Sequence, residues 1–228
     1  MSRIYAIILS AGKGRRMNKS ISKQYIEVNG KPIIYYTLKA FENSGIDEII
    51  LVTSQKDIGY VKRDIVDKYG ISKVKRIVAG GKERYDSVIN GLKGLDYNDK
   101  VLIHDGARPL IKTDQINNII DNIKKCSACI AAMPVKDTIK IADGEGYVSS
   151  TPDRRYVWQI QTPQAFDVSL ITEAYQKMRD AGDESITDDA MAVEKFTDAK
   201  IKLIETDYEN IKITTSEDLV FLQEVLRH

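Results

Sequence analysis

Short apolar runs rich in β-branched residues recur at 4–9, 48–52, 74–78, 101–103 and 130–133, with amphipathic stretches between them. This alternation constrains the fold more than any other feature of the chain. A strand that is apolar at every position must be covered on both faces, which is the condition of a parallel sheet flanked by helices. The intervening segments have the matching period, with Ile33, Ile34, Leu38 and Phe41 on one helical face and Val88, Ile89 and Leu92 on another. The expected class is therefore α/β, a Rossmann-like, mostly parallel twisted sheet with helices on both faces. Asn29-Gly30 reads as a tight turn.

The alternation stops at Val135. From 135 to 158 the chain carries Gly144, Gly146, Pro152 and the charged run Asp153-Arg154-Arg155, with short alternating pieces such as Thr138-Ile139-Lys140-Ile141. This stretch reads as a protruding β-arm that cannot bury its own apolar side and is expected to be covered by a second chain. Beyond it the pattern predicts helices near 168–178 and 189–196, strands at 201–205 and 211–214, and a last helix. Leu219, Leu222, Val225 and Leu226 mark the inner face of that helix, with Thr215 or Ser216 as its cap. The expectation is one domain over 1–228 with a dimerisation arm at about 135–158.

Charge and composition narrow the function. In 228 residues, 34 Lys+Arg stand against 33 Asp+Glu, a formal net charge of +1, so the basic excess of a nucleic-acid or anionic-membrane binder is lacking. No apolar run approaches the roughly 20 residues that span a bilayer. The apolar start of the chain is short and soon meets a basic cluster, so it reads as a buried strand, and a cytoplasmic location is expected. Cys126 and Cys129 form C-x-x-C, but with His104 and His228 as the only histidines a closed zinc site lacks ligands. The pair reads as small residues at a buried helix-to-strand junction.

The residues that carry chemistry lie after strands. The first strand runs into Ser10-Ala11-Gly12-Lys13-Gly14-Arg15-Arg16-Met17, with Lys23 shortly after. Small residues there let a ligand approach the backbone, and the cations suit a polyphosphate. The Walker A loop is excluded because no Gly-Lys-Ser/Thr follows, and the dinucleotide fingerprint because Met17 stands where its third glycine belongs. Gly80-Gly81-Lys82-Glu83-Arg84-Tyr85-Asp86-Ser87 is a second glycine loop between strand and helix, and alone it would be a plain turn. His104-Asp105-Gly106-Ala107-Arg108-Pro109 ends another apolar strand, where Asp105 is a candidate ligand for Mg2+ shared with substrate phosphates. His104 itself reads as a satisfied core histidine.

Taken together with Pro134-Val135-x-Asp137-Thr138-x-Lys140, Asp153-Arg154, Gln161-Thr162-Pro163-Gln164, Thr187-Asp188 and Asn210-Ile211-Lys212-Ile213-Thr214, each of which reads as polar residues at a loop or strand end, these segments give the chain a resemblance. Over nearly all its length it resembles the 2-C-methyl-D-erythritol 4-phosphate cytidylyltransferases. That resemblance implies a nucleotide-diphosphosugar transferase fold and transfer of CMP from CTP to the polyol phosphate, with release of pyrophosphate. It implies that Arg16 and Lys23 stabilise the transition state at the α-phosphate, and that Arg154 and Lys212 hold the incoming phosphate. Ala11, Gly12 and Gly14 would line the nucleotide loop, Gly80, Gly81 and Ser87 would select cytosine, and Arg108 and Thr138 would complete the polyol phosphate site. Asp105 would lie nearest Mg2+. The related ribitol-5-phosphate cytidylyltransferases are the alternative, and Ala107 with the Pro-Val-Lys-Asp-Thr segment favours methylerythritol phosphate. The family's arm reaches into a second subunit, so a homodimer is expected, with Thr138 and Arg154 serving the neighbour's site.

Overall fold

The computed structural model describes residues 2–12 and 22–227. In chain order its elements are β1 (Ile4–Ser10), β2 (Glu27–Val28), β3 (Lys31–Pro32), α1 (Ile33–Glu42), β4 (Glu48–Thr53), α2 (Ile58–Tyr60, continued by π-helical turns over Val61–Asp67), β5 (Val74–Ala79), α3 (Arg84–Leu92), β6 (Lys100–Asp105), α4 (Thr113–Ile123), β7 (Ala128–Pro134), β8 (Ile141–Ala142), β9 (Val148–Ser150), β10 (Trp158–Asp167), α5 (Val168–Asp180), α6 (Asp189–Phe196), β11 (Lys202–Glu205) and α7 (Ser216–Val225).

Seven strands form one sheet in the order β11-β7-β10-β6-β1-β4-β5. All run parallel except β10, which pairs antiparallel with both β6 and β7. The uniformly apolar strands are explained by burial on both sides. Ala6 and Ile8 of β1 face a core with Leu38 and Phe41 of α1 and Ile116 and Ile119 of α4. Tyr5 and Ile7 face the opposite core with Val88 of α3, Ile171 and Tyr175 of α5 and Val193 of α6. A third cluster, Val28, Ile33, Leu110, Ile213 and Leu222, seats α7 beside the start of α1. Asn29 and Gly30 take positive φ of 50° and 74°, as the two central residues of a tight hairpin turn require.

Two expectations are corrected. No strand forms at 211–214; instead this segment is tied across to the loop after β6, where Ile213 N–H donates to the Ala107 carbonyl at 2.8 Å. Gln161, Thr162, Pro163 and Gln164, expected at a loop or strand end, lie within β10, where the register shifts between Ile160 and Gln164. Buried Gln161, Thr162 and Gln164 spend their polar groups on Asn210, His104 and Asp188. Within 135–158, β8 and β9 pair as a short antiparallel hairpin. The hairpin and its surroundings expose Ile141, Tyr147, Val148, Tyr156 and Ile160. Among the described residues no helix is long and apolar enough to cross a membrane.

Candidate active site

In an open parallel sheet the strand ends supply loops on one edge, and the crevice there is where ligands bind. β1, β5 and β6 deliver Ala11, Gly80 and Asp105 to that edge. The glycine loop after β5 packs directly on the loop after β1: a Cβ at Gly80 would stand 2.4 Å from Ala11 Cβ and 2.9 Å from Ser87 Oγ. A Cβ at Gly81 would stand 2.2 Å from Asp86 Cβ. Glycine is therefore required at both positions by close approach. Gly81 N–H donates to Ser87 Oγ at 3.1 Å, and buried Ser87 in turn donates to the Glu83 carbonyl at 3.3 Å. At Gly12, by contrast, no described residue lies within 4 Å of an added Cβ. Ala11, Gly80, Gly81 and Ser87 thus form one small-walled nook beside Gly12. Gly14 and Arg16 lie outside the described residues.

Asp105, at the end of β6, gathers the cations. Lys212 Nζ is 2.8 Å from Oδ2, Arg108 Nε is 3.7 Å from Oδ2 and Arg84 Nε is 3.8 Å from Oδ1. Burial works to raise the Asp105 pKa, but Arg84, Lys212 and Arg108 outweigh it and hold the carboxyl well below the usual carboxylate range. Arg108 donates to the Asn210 carbonyl at 2.7 Å. Fully buried Asn210 anchors that segment through Nδ2, at 2.8 Å from Gln161 Oε1 and 2.9 Å from the Thr162 carbonyl. This anchoring brings Lys212 to Asp105 although it lies 107 positions further along the chain than Asp105. Lys23 Nζ donates to the carbonyl of Ile213, the next residue, at 2.9 Å.

His104 is the core residue expected. It is fully buried, with Nδ1 3.0 Å from Thr162 Oγ1 and Nε2 3.3 Å from the Arg108 carbonyl. The carbonyl accepts only, so Nε2 carries the proton and Nδ1 accepts from Thr162, whose oxygen receives the Asp105 N–H at 3.1 Å. Burial drives the imidazole pKa down to about 3, so the ring is neutral and braces the Asp105 backbone.

Arg84 carried no assigned role in the sequence, yet its guanidinium makes a bidentate bond to fully buried Asp189, both contacts at 2.7 Å. Tyr175 OH also donates to Asp189. An arginine in the first turn of a helix opposes the helix dipole, and here the buried Asp189 carboxylate offsets that charge. Thr138 and Arg154 are exposed, and among the described residues neither has a hydrogen bond or ion pair to the Asp105 cluster. Arg154 instead donates to the Lys136 carbonyl at 2.6 Å, within the arm. Asp105 is the carboxylate around which Lys212, Arg108 and Arg84 converge. Its carboxylate is committed to three cations, and among the described residues no group of three His, Cys, Asp or Glu is placed to hold an ion.

The family model of the 2-C-methyl-D-erythritol 4-phosphate cytidylyltransferases matches residues 4–228. A protein of that name from Lachnoclostridium phytofermentans is 50% identical over 227 residues, covering 100% of this chain and 97% of the relative. The chain belongs to this family. Another cytidylyltransferase of that name, from Alkaliphilus oremlandii, is 47% identical over 229 residues, covering 100% of this chain and 96% of its own length. Among solved structures, the 4-diphosphocytidyl-2C-methyl-D-erythritol synthase of Anaerococcus prevotii superposes with a TM-score of 0.88 at 42% identity, covering 100% of this chain and 97% of that one. Membership of the cytidylyltransferase family makes the chain a nucleotidyltransferase on the mostly parallel α/β fold described above.

Proposed function

We propose that the chain transfers CMP from CTP to 2-C-methyl-D-erythritol 4-phosphate, giving the CDP-linked polyol and pyrophosphate. The observation that carries this reading is the meeting of the small-walled nook at Ala11, Gly80 and Ser87 with the cation cluster around Asp105 on one sheet edge. A phosphate oxygen of the polyol attacks the α-phosphorus, the new O–P bond forms, and the bond to the β-phosphate oxygen breaks in line. No protein nucleophile is needed; the protein must align two anions and neutralise charge that grows at the α-phosphate.

Gly80, Gly81 and Ser87, with the backbone of Ala11 and Gly12, take the cytosine and ribose end, since any larger residue at Gly80 would fill the nook. Arg16 and Lys23 neutralise the α-phosphate and the departing pyrophosphate, Gly14 belongs to the same loop, and Lys212 and Arg108 hold the incoming phosphate. Thr138 and Arg154 reach the site of a second copy, so the active unit is a homodimer joined through the arm; the exposed Tyr147, Val148 and Tyr156 support this because they lack a covering surface in one chain. The divalent ion, Mg2+, belongs to the triphosphate of the incoming nucleotide rather than to a protein cage. The two free cysteines suit a reducing compartment, and we assign the chain to the cytoplasm. The test is a paired assay of pyrophosphate release from CTP with methylerythritol phosphate and with ribitol 5-phosphate. Preference for the ribitol substrate would refute the reading.

A further inference from the structure

We infer that Gln24 and Tyr25 are positioning residues that hold Lys23 at the reacting phosphate by locking its turn to the ends of β1 and β4. The inference rests on the role given to Lys23 in the proposed function. Lys23, Gln24 and Tyr25 form a single 3-10 turn, too short to fix its own place. Both residues after Lys23 are buried, and both use polar atoms on the sheet edge.

The Gln24 carboxamide donates from Nε2 to the Ser10 carbonyl at 2.5 Å and reaches the Gly12 carbonyl at 3.4 Å. These acceptors flank Ala11. A peptide is planar and trans, so turning the Ser10 carbonyl toward Gln24 points the Ala11 N–H the opposite way. One side chain therefore sets both the lysine turn and the backbone of the nucleotide loop. The Tyr25 hydroxyl sits between Ser10 Oγ at 3.1 Å and Thr53 Oγ1 at 2.5 Å, joining the last residues of two neighbouring parallel strands. Its ring is held edge-on by Tyr60, with centroids 5.4 Å apart. The tip of Lys23 is fixed separately by the Ile213 carbonyl at 2.9 Å. The ammonium is thus located from its base by β1 and from its tip by the segment that carries Lys212.

The test is a double-mutant cycle on the full chain, following pyrophosphate release at saturating CTP and methylerythritol phosphate. Gln24→Leu keeps the volume and removes the donor; Tyr25→Phe keeps the ring and removes the hydroxyl. Each is expected to lower kcat roughly tenfold with the Lys23 charge present, and less than about twofold in the Lys23→Ala background, because residues acting through one another are non-additive. A merely structural role would lower the melting temperature and leave this coupling at zero. Equal losses in both backgrounds would overturn the positioning role while leaving Lys23 in place. If Lys23→Ala alone kept its full kcat, the role of Lys23 and the inference would fall together. Should Gln24→Leu not fold, Tyr25→Phe carried through the same cycle decides.

Discussion

Lys212 Nζ lies 2.8 Å from Asp105 Oδ2, so the lysine assigned to the incoming phosphate rests on a carboxylate of the chain itself. Asp105 is shared with Arg84 and Arg108, and losing one cation still leaves it paired. Lys212→Ala is therefore expected to fold. Its KM for the polyol phosphate should rise and its kcat should fall on the order of 10²-fold, with KM for CTP changed little. Steady-state kinetics with each substrate varied in turn measures this. An unchanged KM for the polyol phosphate would remove Lys212 from that half of the site.

The neutral His104 predicts a pH dependence of stability. The unfolded imidazole protonates near about 6.5, whereas in the fold burial lowers its pKa to about 3. Between those values the unfolded chain binds the extra proton, so stability falls as pH drops through the window, by up to about 1.4 kcal/mol per pH unit. Urea unfolding at pH 6.5 and 5 should show the loss, and His104→Gln should flatten it. With only one other histidine, His228, in the chain, the imidazole resonances can also be followed directly. A His104 ring that titrates above pH 5.5 in the native protein would contradict the assignment.

Gly80 and Gly12 make an internal contrast. Alanine at Gly80 would press on Ala11 Cβ at 2.4 Å, so Gly80→Ala should cost about 1–3 kcal/mol of stability by overpacking and weaken CTP binding as the nook distorts. Alanine at Gly12 meets no atom of the described residues within 4 Å, so Gly12→Ala should melt with the parent. Any rise in its Kd for CTP then reports that ligand occupies the space in front of Gly12. Calorimetric melting and CTP titration of both variants separate the effects; normal CTP affinity in both would move the nucleotide elsewhere.

The strands and glycine loops could be read in the sequence because each depends on local pattern. A run such as Ile4-Tyr5-Ala6-Ile7-Ile8-Leu9 is apolar at every position because two cores cover it. β10 escaped detection for the converse reason. Gln161 and Gln164 are buried and spend their polar groups on partners remote in sequence, Asn210 at 2.8 Å and Asp188 at 2.7 Å, so a buried strand looks like a polar loop. The segment around Lys212 misled in the opposite direction: Ile211 and Ile213 alternate like a strand, but Ile213 is buried against α7 while only one backbone bond ties it to Ala107. Arg84 stood within a quoted motif, yet its partner Asp189 lies 105 positions away, a distance local pattern does not carry.

The arm supplies the last prediction. Arg154 is exposed and bonded within the arm to the Lys136 carbonyl, while Tyr147, Val148 and Tyr156 present apolar surface around it. If Arg154 serves the site of a second copy, its loss and the loss of Lys23 damage different sites in a mixed dimer. Arg154→Ala and Lys23→Ala chains, each nearly inactive alone, should then regain activity when mixed and allowed to exchange subunits. Random pairing makes half the dimers mixed, each with one intact site, so recovery should approach roughly a quarter of the parent activity. Sedimentation of the parent should show a dimer at assay concentration. A dimer in which mixing restores nothing would mean that Arg154 acts within its own chain, and a fully active monomer would remove the shared site altogether.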